Sequence, residues 1–156
     1  MIKVGWFSFT CCEGCSIIFL EILNEKLLEW KKKIEFKSFR MLSKENFEGP
    51  FDISIVEGAI SSRKDIEKLK KIRANSNKLI IVGSCAITGY PAGLRNKFDE
   101  KRKKEIKPIL REFGHLDRVL KIEDIVNVDG KVSGCPMQTE AFIELFERSL
   151  KEFETF

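Results

Sequence analysis

No stretch of this chain approaches the ~20 consecutive apolar residues that a membrane-spanning helix needs, although 43% of its 156 residues are hydrophobic. The N-terminus, "MIKVGWFSF", lacks the basic region, long apolar region and small-residue cleavage site of a signal peptide, so a cytoplasmic setting is expected. Neither an internal repeat nor a low-complexity linker divides the chain. One domain spanning residues 1–156, large enough to bury a real core, is therefore expected. The excess of basic over acidic residues is only +4. Basic runs at Lys31–Lys33, Lys68–Lys71 and Lys101–Lys104 have neither interleaved aromatics nor a reading motif, so they read as solvated helix faces, not a nucleic-acid surface. The one histidine, His115, stands in "EFGHLD", away from every other motif, and is expected in a surface loop. Cysteine is scarce as well. There are five, an odd number that closes no disulfide framework, and a reducing compartment disfavours disulfides in any case.

What is present is their placement. Three of the five cysteines fall in "FTCCEGCSII", as Cys11, Cys12 and Cys15, directly after an apolar run. The chain around them reads as alternating strands and helices. Ile2–Phe9 is a strand, and from Ser16 to about Lys32 a helix follows with Leu20, Leu23, Leu27 and Trp30 on one buried face. Ile34–Phe39 and Phe51–Ala59 are strands two and three. Ser62 and Asp65 form a capping box ahead of a helix with Ile66, Leu69 and Ile72 on its apolar face. Lys78–Cys85 is a continuously apolar fourth strand, as a strand buried on both faces should be. A looser stretch, "AITGYPAGLRNKF", precedes a charged helix over Glu100–Phe113, expected to be interrupted near Pro108. Asp117–Ile122 is read as strand five, "VNVDGKVSGCPM" as a turn-rich excursion, and a last helix from about Thr139 carries Phe142, Leu145, Phe146 and Phe153.

This alternation predicts an α/β fold with a doubly wound parallel sheet. Ligands of such sheets sit beyond the carboxyl ends of the strands. Cys11, Cys12 and Cys15 follow strand one, Cys85 ends strand four and Cys135 follows strand five, so all should emerge on one edge. Cys12 and Cys15 have Cys-x-x-Cys spacing, and with Cys85 and Cys135 they make a Cys₄ inventory that suits zinc or an iron–sulfur cluster. A thioredoxin-like pair or buried thiols are the remaining readings. The single Cys-x-x-Cys and the glycine-bearing "GSCA" and "GCPM" favour the cluster. Small residues let backbone N–H groups approach the sulfurs, and the N-terminus of helix one beside Cys15 favours thiolate.

Taken together, "CCEGC", "VEGAI", "GSCAITGYPAGLRN" and "VNVDGKVSGCP" resemble the small subunit of [NiFe] hydrogenases and its relative, the 20-kDa-type subunit of respiratory complex I, from Ile2 to about Phe153. The resemblance is nearest to the cytoplasmic groups. It implies a flavodoxin-like domain with one proximal [4Fe-4S] cluster held by Cys12, Cys15, Cys85 and Cys135. The nickel–iron centre would lie on a larger partner subunit only. Cys11 is left over, although complex I relatives carry adjacent cysteine ligands. The chain has Met137 where the family often has a second proline, and it lacks the cysteines for the two further clusters of longer relatives. Electrons would then leave through a separate ferredoxin-like or flavin subunit. The loops around Gly14, Gly89–Leu94 and Gly134–Met137 would lie against the larger subunit.

Other residues invite more than one reading. Glu57 could accept backbone N–H groups or carry protons; Glu13 could cap helix one or meet the partner. Ser84 could donate to a sulfur. Arg95 could meet the partner or the cluster's charge, or form an intrachain salt bridge. The alternatives to a hydrogenase subunit are a complex I-like subunit passing electrons toward quinone, a free iron–sulfur carrier, and a zinc-stabilised interaction module.

Overall fold

The computed structural model describes residues 1–44 and 47–154. In chain order its elements are β1 (Ile2–Ser8), α1 (Gly14–Trp30), β2 (Ile34–Phe39), β3 (Phe51–Glu57), β4 (Ile60–Ser62), α2 (Arg63–Ala74), β5 (Ser76–Val82), α3 (Gly83–Thr88), α4 (Glu100–Glu112), β6 (His115–Leu120), β7 (Gly130–Val132) and α5 (Thr139–Glu154). Five strands form one sheet in the order β2-β1-β3-β5-β7, and every neighbouring pair is parallel. Ile53, Ile55 and Val56 of β3 and Leu79–Val82 of β5 are wholly buried. That is the pattern of central strands covered on both faces.

Two apolar layers sandwich the sheet. On one face α1 and α5 bring Phe19, Ile22, Trp30, Phe142 and Phe146 against Val4, Trp6, Ile55 and Val82. Trp6 stacks on Phe19 with ring centroids 4.4 Å apart, and Phe142 stacks on Phe146 at 5.5 Å. On the other face Leu69 and Ile72 of α2 and Ala86 of α3 meet Phe7, Val56 and Ile81. Ser62 caps α2: its side chain accepts from the Asp65 backbone N–H, while the Asp65 carboxylate accepts from that of Ser62.

The structure departs from the sequence-based expectations in several places, beginning with the fourth strand: β5 stops at Val82, and Cys85, expected to end that strand, lies in α3. The segment read as strand five is β6, which pairs antiparallel with β4 in a separate two-stranded sheet. Half of its six residues are exposed, as fits a ribbon at the edge of the core. The fifth strand of the main sheet is instead β7, three residues of the stretch read as an excursion, paired with β5 from Ile80↔Gly130 to Val82↔Val132. In α1 the buried set is Cys15, Ser16, Phe19, Ile22, Leu23 and Trp30, whereas Leu27 is 47% exposed. Helix α4 runs through Pro108 without interruption. Pro108 and Lys104 are both exposed, so water can take the carbonyl that loses its partner. Finally, His115 opens β6, where its Nδ1 lies 3.2 Å from the Ser61 carbonyl oxygen.

Candidate functional site

The parallel register dictates where the cysteines meet. Ser8 pairs with Glu57, Glu57 with Val82, and Val82 with Val132. Four strands therefore end on one line, and the segments leaving them begin side by side. Cys11, Cys12 and Cys15 follow β1, Cys85 lies in the first turn of α3 after β5, and Cys135 follows β7. All five cysteines line one cavity of about 90 Å³, whose other walls are Gly14, Glu57, Gly58, Val82, Gly83, Ser84, Gly134 and Pro136. On the same measure a single water occupies about 10–15 Å³, so the space suits a body of several atoms. Among the described residues no three His, Cys, Asp or Glu side chains are gathered tightly enough to hold a single metal ion.

The backbone is shaped to the sulfurs. Gly83 has φ +83°, and a Cβ built there would lie 2.6 Å from Cys15 Sγ; one on Gly14 would lie 3.3 Å from Cys12 Sγ. Glycine at these points lets the main chain run against the thiols. The Ser84 N–H donates to the Gly134 carbonyl at 2.8 Å, tying the Cys85 turn to the Cys135 loop. The Met137 N–H donates to Cys15 Sγ at 3.4 Å, and the Glu13 N–H to Cys11 Sγ at 3.4 Å. Cys15 is buried, Cys85 and Cys11 are half-buried, and Cys12 and Cys135 are exposed. Burial pushes the Cys15 thiol up to about 11, against the pull of the Met137 N–H; Glu57, Cys12 and Cys135 add to the rise. Burial likewise takes Cys11 to about 12, with Glu57 adding, and raises Cys85. These thiols keep their protons at neutral pH until positive charge arrives among them.

Glu57 is 1% exposed and accepts from Ser8 Oγ at 2.7 Å, from the Ser16 N–H at 3.2 Å and from Ser16 Oγ. Trp6 Nε1 donates to Ser16 Oγ at 2.8 Å. The carboxyl group thus joins the end of β3 to β1 and to the first turn of α1, which carries Cys15. Glu57→Ala should strand those donors inside the protein and cost about 1–3 kcal/mol. A lowered urea midpoint with unchanged slope is the expected readout.

Of the other residues singled out from the sequence, Glu13 occupies the N-cap position of α1 with φ 61°, but its side chain makes no cap bond. Ser84 ties its loop through the backbone. Arg95 makes no salt bridge among the described residues; its Nη2 donates to the Leu116 carbonyl at 2.8 Å, anchoring the "GLRN" turn to β6. Met137 is buried at 2% exposure, so it belongs to the core and not to the outer surface of its loop. Gly83 and Gly134 are the glycines of "GSCA" and "GCPM" expected from the sequence to bring the backbone close to the sulfurs. Their signal is glycine directly beside the "SC" and "C" of each cysteine turn, where φ is positive.

Residues 12–148 match the family described as NADH ubiquinone oxidoreductase, 20 Kd subunit. Sulfhydrogenase 2 subunit delta of Pyrococcus furiosus is 29% identical over 92% of this chain and 60% of its own length. The NAD-reducing hydrogenase HoxS subunit delta of Cupriavidus necator is 26% identical over 94% of this chain and 77% of its own. One of the subunits of the F420-non-reducing hydrogenase vhu of Methanocaldococcus jannaschii is 32% identical over 86% of this chain and 51% of its own. The chain thus spans about half to three quarters of the length of these relatives. A chain in a crystal structure of NAD+-reducing [NiFe]-hydrogenase in the H2-reduced state superposes with a TM-score of 0.83 at 25% identity, covering 97% of this chain and 92% of that one.

Proposed function

Because this chain belongs to the family of the 20-kDa subunit of NADH ubiquinone oxidoreductase, we propose that it is the electron-relaying small subunit of a [NiFe] hydrogenase. In this reading Cys12, Cys15, Cys85 and Cys135 hold one [4Fe-4S] cluster between a larger subunit's nickel–iron site and a ferredoxin-like or flavin acceptor subunit. The H₂ chemistry belongs to the larger subunit. The chain acts as a single cluster domain in the cytoplasm; no helix among the described residues is long and apolar enough to cross a membrane.

The observation that carries the proposal is the gathering of cysteines from three distant segments on one cavity of about 90 Å³. A tetrahedral zinc site with Zn–S of about 2.3 Å draws its sulfurs to within about 3.8 Å of one another. A cavity shared by cysteines from three segments suits a polynuclear core with each thiolate on its own iron. The cluster would supply one-electron storage. The protein's part is to supply thiolates, aim the Met137 N–H at the Cys15 sulfur, and wall the inner side from water with Val82, Gly83 and Gly134. Of the cavity lining, Cys12, Cys135 and Pro136 are exposed, and the segments that follow Cys15 and Cys85 carry the exposed apolar residues Ile17 and Leu94. Open sulfurs beside exposed apolar side chains suit a large partner, and an obligate interface would bury more than roughly 2,000 Å².

A second reading rests on Cys11, which lines the same cavity. Ligation by Cys11 and Cys12 would give the adjacent-cysteine arrangement of a complex I-like subunit. Anaerobically purified chain should contain iron and acid-labile sulfide at about four each per chain. Stoichiometric zinc without sulfide refutes the cluster, and a stable monomer active without a larger partner supports a free carrier instead.

A further inference from the structure

The mild net charge conceals a strong division. Helix α1 carries one Lys or Arg against three Asp or Glu, and α5 two against five. Helix α2 carries six against two, and α4 six against three. On the acidic side Lys26 pairs with Glu147 at 2.9 Å, Lys33 with Glu154 at 2.9 Å and Lys78 with Glu152 at 2.7 Å. On the basic side an open groove of about 720 Å³ runs between the start of α2 and the α4–β6 turn. Arg40, Arg63, Lys64 and Lys68 line it against two carboxylates, Asp65 and Glu112. Among the described residues none of the four cations makes an ion pair, though Lys68 Nζ lies over the Phe9 ring at 5.4 Å, and Asp65 is already engaged by the backbone N–H groups of Ser61 and Ser62.

The groove also touches the site. Its floor includes Ser8, Phe9 and Thr10, the residues running directly into Cys11. Ser8 donates to Glu57, which lines the cysteine cavity, and the Cys11 thiol donates to the Phe9 carbonyl at 3.7 Å. Groove and cavity are therefore two sides of one short loop. Cys12 and Cys135, the exposed cysteines of the cavity, do not line the groove and stay free for the larger subunit.

We infer that this groove is the docking surface for an acidic electron-transfer domain, of the small ferredoxin kind, that exchanges electrons with the cluster. The inference deepens the relay reading and rests on it. One electron crosses per encounter, lowering the oxidation level of the partner's centre by one and raising that of the donor by one, with no bond or proton transferred. The cations steer an acidic partner and fix its register. Tunnelling falls steeply with distance, so a seat beside Cys11 is where such a partner is useful. An RNA or an anionic membrane would also sense the positive field, but neither gains from proximity to the thiols.

The test is binding of the full-length, anaerobically purified chain to an acidic plant-type [2Fe-2S] ferredoxin, by calorimetry at low and at physiological salt. Iron and sulfide are assayed on the same sample. Binding should weaken with salt, and the triple variant Arg40→Glu/Lys64→Glu/Lys68→Glu should weaken it ~10-fold or more at low salt. All three positions are exposed, so the variant should fold, which circular dichroism checks. The control Lys101→Glu/Lys104→Glu/Lys107→Glu makes the same change in net charge on α4 and should weaken binding less than ~3-fold. Equal loss in both triples overturns the inference, as does wild-type binding by the groove variant. Preferential binding of RNA or anionic vesicles overturns it too. A chain without iron that still binds ferredoxin through the groove upholds the docking surface while refuting the cluster; a loaded chain that ignores ferredoxin does the reverse.

Discussion

Cys15→Ser is expected to abolish the cluster, whereas Cys11→Ser leaves iron and sulfide at the level of the unsubstituted chain. Both cysteines line the cavity, so the distinction rests on how each sulfur is held. Cys15 sits in the first turn of α1 with its sulfur under the Met137 N–H. Its neighbours include Cys12 and Cys135, close enough to raise its pKa. Cys11 is engaged in a local turn, donating to the Phe9 carbonyl and accepting from the Glu13 N–H. Serine replaces a soft thiolate with a harder, shorter oxygen ligand that serves an iron–sulfur core poorly. Cys12→Ser, Cys85→Ser and Cys135→Ser should fail as Cys15→Ser does. Iron, sulfide and the low-temperature EPR spectrum of the reduced chain provide the readout. The opposite pattern, with Cys11 essential and Cys15 dispensable, would assign the adjacent pair as ligands and favour the complex I-like reading.

The convergence of these cysteines was legible because it depends on topology alone. β1, β3 and β5 are apolar runs long enough to recognise, and a parallel sheet puts their ends together. Cys135 reached its expected place by an unexpected route. Its supporting strand is Gly130-Lys131-Val132, too short to show a period and containing a glycine, whereas Asp117–Leu120 has more of a strand's composition but pairs outside the main sheet. The deciding factor is burial. Val132 is 2% exposed in the core, while Asp117 and Arg118 face solvent. The aromatic packing was not legible from periodicity: Phe19, Phe142 and Phe146 join Trp6 and Trp30 in one aromatic layer, whereas Phe113 remains 68% exposed. The charge division between helices was present in the sequence as well, but became visible only when α1 and α5 were found on one side of the sheet and α2 on the other.

The glycines beside the sulfurs offer a comparison that separates backbone strain from crowding at the site. Gly83 and Gly89 share a left-handed backbone, with φ +83° and +84°. A Cβ on Gly89 meets nothing within 4 Å, whereas one on Gly83 falls 2.6 Å from Cys15 Sγ. Gly89→Ala should therefore cost only the conformational penalty, about 1–2 kcal/mol, and leave the iron content intact. Gly83→Ala should cost that and about 1–3 kcal/mol more from overpacking. Cys15 has little room to yield, because its backbone is fixed in α1 and Ser16 beside it is held by Glu57. The methyl group would displace the sulfur itself, so the second effect should be loss of bound iron in Gly83→Ala chains that still fold. Urea midpoints measure the first difference and iron per folded chain the second. Equal iron in the two variants would mean that the sulfur of Cys15 is not where the cluster is bound.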